Sequence, residues 1–164
     1  MNRYKLIIKS LSTLTLAVMI LLGFSSTTMA QNDSTTFTFS SKNNPINNLG
    51  GDGQNGVPYS AGHWTGNSKV SSSDGKKTDS SYSCVMMTQP PNESLFQLHV
   101  LCDIKTKDGA YSATMGCTFI DVASSEVSCI GGLYGTGGVY SGRRGSITNY
   151  GKNNTASGTG QWYK

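Results

Sequence analysis

Past Tyr59 the chain is a succession of short alternating segments, each cut off by turn residues, with no apolar stripe at helical spacing. That pattern admits strands and tight turns and little else. Residues 62–70 form a first candidate strand, ending in the polar run 71–79. Residues 81–87 form a second, closed by Pro90-Pro91-Asn92, because neither proline can donate a ladder hydrogen bond. Residues 95–104 are the most apolar strand. Asp108-Gly109 follows, a dipeptide suited to a type I′ hairpin turn with positive φ at both central residues. Residues 111–120 are its partner, and a turn at Ala123-Ser124-Ser125 leads to residues 127–130. Segments 138–140, 145–148 and 158–163 complete the series. In the polar stretch 31–59 only 35–39 alternates, and the glycine run 48–56 reads as a long loop.

The expected fold is therefore all-β: an antiparallel up-and-down barrel of about eight strands, lipocalin-like, with a β-sandwich as the alternative. Closure removes exposed strand edges, and frequent glycine in the last third lets strands bend. The expected organisation is a leader at 1–30, a polar N-terminal strand and loop at 31–59, and the remainder of one barrel domain at 60–164.

The leader has the three parts of a cleavable secretory signal. Arg3, Lys5 and Lys9 precede an apolar core at 11–24, and Thr28-Met29-Ala30 offers small side chains to a signal peptidase, making Gln31 the first mature residue. A membrane span needs about 20 apolar residues, and Ser12, Thr13, Thr15, Ser25 and Ser26 shorten this one. The expectation is a secreted or periplasmic protein with no stable membrane span after cleavage. Of the 13 basic residues three lie in the leader, leaving ten against 9 acidic ones. A nearly neutral domain gives no electrostatic basis for binding nucleic acid.

All four cysteines, Cys84, Cys102, Cys117 and Cys129, follow the leader. An even number in an exported chain indicates two disulfides. Zinc is disfavoured by spacing: no two are closer than 12 residues, and neither histidine adjoins one. Three pairings are open. Cys84–Cys102 with Cys117–Cys129 is favoured, since each bridge then joins strands that short turns make neighbours.

The segment Gly135-Thr136-Gly137-Gly138-Val139-Tyr140-Ser141-Gly142-Arg143-Arg144-Gly145-Ser146 resembles the glycine-rich C-terminal part of the allene oxide cyclase and dirigent barrel-like family, including its small exported bacterial members. Gly158-Thr159-Gly160-Gln161-Trp162 takes the place of the closing stretch, and Gly116-Cys117-Thr118-Phe119-Ile120-Asp121 that of an inner hairpin. The likeness covers about 110–164. It departs in the early position of Thr136 and in Arg143, where a small residue is usual. The resemblance implies an eight-stranded barrel with an interior pocket, used in the family to fold an unsaturated fatty-acid epoxide or to steer phenoxy-radical coupling. It carries over no catalytic residue.

The ligand-binding candidates are His63, Trp64, His99, Tyr140 and Arg143. The two histidines are the only imidazoles, the usual acid–base groups at neutral pH. Alternation places His99 with Leu95 and Leu101, and Phe96, Leu98 and Cys102 on the other face. Inward aromatics would line an apolar pocket, and Arg143 at a barrel mouth would hold a carboxylate bidentately. No Gly-x-Ser-x-Gly turn occurs, and the glycine run 131–138 lacks the following helix that a dinucleotide site requires. No metal or cofactor is expected. The expected function is a non-enzymatic exported barrel that binds an apolar small molecule or an envelope or host partner. The alternatives are an isomerase or cyclase acting on a lipid-like substrate, and a structural protein with a filled core. The sequence carries no signal for an oligomeric state. Intact-mass measurement of the exported protein should give a chain beginning at or near Gln31, and a membrane-bound species retaining 1–30 would refute cleavage.

Overall fold

The computed structural model describes residues 34–52, 58–88 and 95–163; the leader, Gln31, residues 53–57 of the glycine-run connection and the Pro90-Pro91-Asn92 turn lie outside the described residues. Eight strands follow in order: β1 Thr35–Asp52, β2 Pro58–Ser72, β3 Lys77–Thr88, β4 Leu98–Thr106, β5 Gly109–Asp121, β6 Glu126–Gly138, β7 Arg144–Lys152 and β8 Thr155–Trp162. Each pairs antiparallel with the next, and β8 returns to β1, so the sheet closes into a barrel. The sandwich alternative is set aside.

Several expected boundaries move, and in each case tertiary pairing overrides local composition. Residues 48–52 of the glycine run are not loop but the end of β1, laddered onto β2 as far as Asp52↔Pro58. β6 continues through glycines 131–138, since β5 supplies pairing partners and the Met115 side chain occupies the space beside Gly131. Val139 and Tyr140 then leave the sheet in the β6–β7 turn, so 138–140 is not a strand. The Asp108-Gly109 turn is not type I′. Neither Lys107 nor Asp108 has positive φ, and Thr106 Oγ1 accepts the Asp108 and Gly109 N–H groups, each at 3.1 Å.

Strand alternation sorts the side chains cleanly. β4 turns Leu98, Val100, Cys102 and Ile104 inward, and β5 turns in Tyr111, Ala113, Met115 and Cys117. His99 does share the outer face with Leu101, as alternation requires. Phe96 does not join the inner set: it precedes β4 and lies over Gly116 on the outside, against His99. Outward positions such as Asp79, Ser81, Ser83, Asp103 and Lys105 are polar. A polar outside and an apolar inside reverse the pattern of a membrane-spanning barrel. Exposed apolar side chains interrupt the polar outer face on several strands, among them Val85 and Met87 of β3, Leu101 of β4, Ile120 of β5 and Ile130 of β6.

Two covalent ties lie within the wall. Cys84 faces Cys102 across β3–β4 and Cys117 faces Cys129 across β5–β6, and both pairs are disulfides, with no free cysteine among the described residues. Bridges closing loops of this size contribute about 3 kcal/mol each. Closure itself rests on β8. Phe37 stands opposite Gly160 and Phe39 opposite Gly158, and a Cβ on either glycine would run into the facing ring. Trp162, two residues from the C-terminus, is 5% exposed. Trp162→Ala should lower the unfolding free energy by about 3–5 kcal/mol, a large share of the roughly 5–15 kcal/mol of a typical domain. Truncation after Ser157 should abolish the cooperative melt followed by circular dichroism, and an unchanged melt would show that β8 is dispensable.

Candidate functional site

Eight strands leave an interior just wide enough for side chains or one small ligand. Here the two halves of the wall differ in bulk. Leu98, Val100, Met115 and the two disulfides project from β3–β6, whereas β7 and β8 present Ile147 and Asn149 and, toward their connecting turn, only Gly151 and Ala156. Small residues on one side leave the interior unfilled, with a cavity of about 470 Å³, within the range of small-molecule sites.

One end of the cavity is sealed by rings. Tyr140, carried on the β6–β7 turn, lies 5.0 Å from Tyr111 and 5.2 Å from Trp162 between centroids, and Tyr111 meets Trp162 edge-on at 5.2 Å. The turn is held down by hydrogen bonds from Val139 N to Asp108 O and from Gly142 N to Gly135 O. Its path requires left-handed backbone at Gly138 and Gly142, which favours glycine at both. The segment that resembles the cyclase and dirigent barrels is thus the end of β6, this plug and the start of β7.

The opposite end, toward the β5–β6 and β7–β8 turns, carries amides and a hydroxyl: Asn48, Asn149, Asn153, Asn154 and Ser125 line it. Deeper, Tyr82 Oη donates to Asn43 Oδ1 at 2.5 Å and to the Lys42 carbonyl at 3.2 Å. Burial raises the Tyr82 phenol above its usual range. At the rim, Glu126 accepts from Tyr150 Oη and pairs with Lys152 Nζ at 2.9 Å, and the Tyr150 bond, then Lys152, holds its carboxyl below the ordinary value. Asp121 is held low first by Ser124 Oγ at 2.7 Å and then by the Ala123 N–H at 3.0 Å.

The sequence candidates scatter. Trp64 is the one of the five in the cavity lining. His63 and His99 lie on the outer face, His63 bonded to Ser83 Oγ at 2.9 Å and His99 against Phe96. Tyr140 belongs to the plug. Arg143 sits at the sealed end with its guanidinium 5.4 Å from the Trp162 ring centroid, remote from the amide-lined mouth. Sequence reasoning passed over Tyr82, Asn43, Asn48 and Asn149. For Tyr82 a signal existed, since it shares strand parity with Cys84; the asparagines gave none until barrel closure placed them together. No group of three or more metal-ligating side chains occurs among the described residues. Comparison with known protein families, curated proteins and solved structures gave no match.

The sealed end has a measurable titration. Burial, with the neighbouring Tyr140 adding, pushes the Tyr111 phenol far above its ordinary 10.0, while Ser80 works against the shift. The unfolded chain releases that proton near pH 10 and the barrel retains it. Stability is therefore complete below about pH 10 and falls as pH rises beyond it. Tyr111→Phe, which keeps the ring, should flatten the alkaline decline of Tm, and an unaltered slope would show that Tyr111 is not its source.

Proposed function

We propose that this is an exported, non-enzymatic barrel that holds an apolar small molecule in its interior. The observation that carries this is the cavity of about 470 Å³, sealed by rings at one end and lined mainly by aliphatic, aromatic and sulfur-bearing side chains. A filled structural core would leave no such space. Catalysis of the cyclase or isomerase kind needs groups that move protons or stabilise charge. The described lining offers no carboxylate, imidazole, amine or guanidinium, and its two phenols, Tyr82 and Tyr111, both have raised pKa values. Kinship with the allene oxide cyclase and dirigent barrels belongs to the same proposal, at the level of a pocketed barrel and not of its chemistry. Two disulfides are compatible with an oxidising, exported location, and we assign delivery there to the leader at 1–30.

The test is to fill the space. Ala156 lies in the lining on the small-residue side. Ala156→Trp should abolish enhancement of N-phenyl-1-naphthylamine fluorescence while leaving the cooperative melt intact. If the folded wild-type protein gives no enhancement, or the variant binds as well as wild type, the interior is not the binding site.

A further inference from the structure

The cavity differs from a general apolar pocket in the neutrality of its mouth. Its described lining contains no ionisable side chain other than the two tyrosines. Among the described residues, the polar groups at the opening are side-chain amides and the Ser125 hydroxyl, which both donate and accept hydrogen bonds and carry no charge. Among the described residues at that end, Asp52, Asp121 and Glu126 face Lys152, which is already engaged by Glu126 at 2.9 Å, and Lys42, which stands opposite Thr155 but is exposed on the outer face of β1. The two arginines among the described residues are at the other end, Arg143 over Trp162 and Arg144 over Tyr134.

From this we infer that the barrel selects uncharged amphiphiles: an apolar body inside, and a neutral hydrogen-bonding head such as a hydroxyl or amide at the asparagine collar. The inference rests on the binding function proposed above and narrows it. An anionic head brought to the collar sheds water and finds no cation in the described lining. A cationic head finds no carboxylate in the lining. Of the rim carboxylates, Asp121 is occupied by Ser124 and the Ala123 N–H, and Glu126 by Tyr150 and Lys152. A hydroxyl or amide head exchanges its water for asparagine partners with little electrostatic penalty.

Matched ligands test this. Dodecanol, dodecanoate and dodecylamine share one chain and differ in the head, and each is titrated at pH 7 against the neutral probe N-phenyl-1-naphthylamine bound to the full mature protein. Dodecanol should displace the probe at concentrations at least about tenfold lower than either ion, roughly the preference expected when a charge is left without a partner. Equal or tighter displacement by dodecanoate or dodecylamine overturns the inference while leaving the binding function standing. Failure of the probe and of all three ligands to bind overturns the binding function and the inference with it. Asn154 is exposed at the collar, and its structural hydrogen bond is made by its backbone carbonyl, which accepts the Asn43 N–H. Asn154→Lys should therefore fold normally and shift the preference, raising dodecanoate affinity severalfold relative to dodecanol. An unchanged dodecanoate affinity in that variant would show that the head does not rest at the collar, against the inference.

Discussion

Pairing of β1 with β8 turns a meander of strands into a vessel. An open eight-strand sheet exposes two edges and has no inside. Once Thr35–Lys42 of β1 is laddered onto Trp162–Thr155 of β8, alternate side chains of every strand converge on one axis. The contact that permits this is aromatic over glycine: the Phe37 and Phe39 rings lie across Gly160 and Gly158. Glycine weakens a strand by itself, and a cross-strand ring restores the lost packing.

The apolar interior is divided by function along the barrel axis. Packing is tightest at the Trp162 end, where Phe37, Tyr111, Tyr140 and Trp162 pack against one another and a hydrogen-bonded turn covers them. Stability is concentrated there and in the disulfides of β3–β4 and β5–β6. The other end is freed from filling its own volume. A small domain with two covalent ties in its wall tolerates a void that would otherwise cost it packing energy.

Charge follows the same polarity. The arginines and the Lys76–Asp108 pair at 2.7 Å lie at the sealed end, while the opening combines neutral amides with carboxylates held ionised by their hydrogen bonds. In the binding function we propose, specificity comes from what the mouth declines to pair, since a buried charge without a partner is expensive. Trp64 inside and His63 outside show how finely this is set: adjacent residues on one strand face opposite environments.

The sequence by itself determined the all-β class and favoured, among three open pairings, the disulfides that the structure shows. These follow from strand parity, even cysteine count and short turns, which are local or nearly so. It failed where composition and pairing disagree. Residues 48–52 look like loop because glycine has low strand propensity, yet partners across the ladder hold them as strand, and the strand expected to end at Ile130 runs on to Gly138 for the same reason. Phe96 looks inward by alternation, but the alternation begins only at Leu98, where pairing with β3 begins. Which residues form the site was decided only by closure. Asn43, Asn48, Asn149 and Asn154 come from β1, β7 and the β7–β8 turn, and only the return of β8 to β1 brings those elements around one opening. Arg143, expected at a mouth, ends on a plug because the β6–β7 turn folds back over Trp162, a packing choice that residue types alone do not encode.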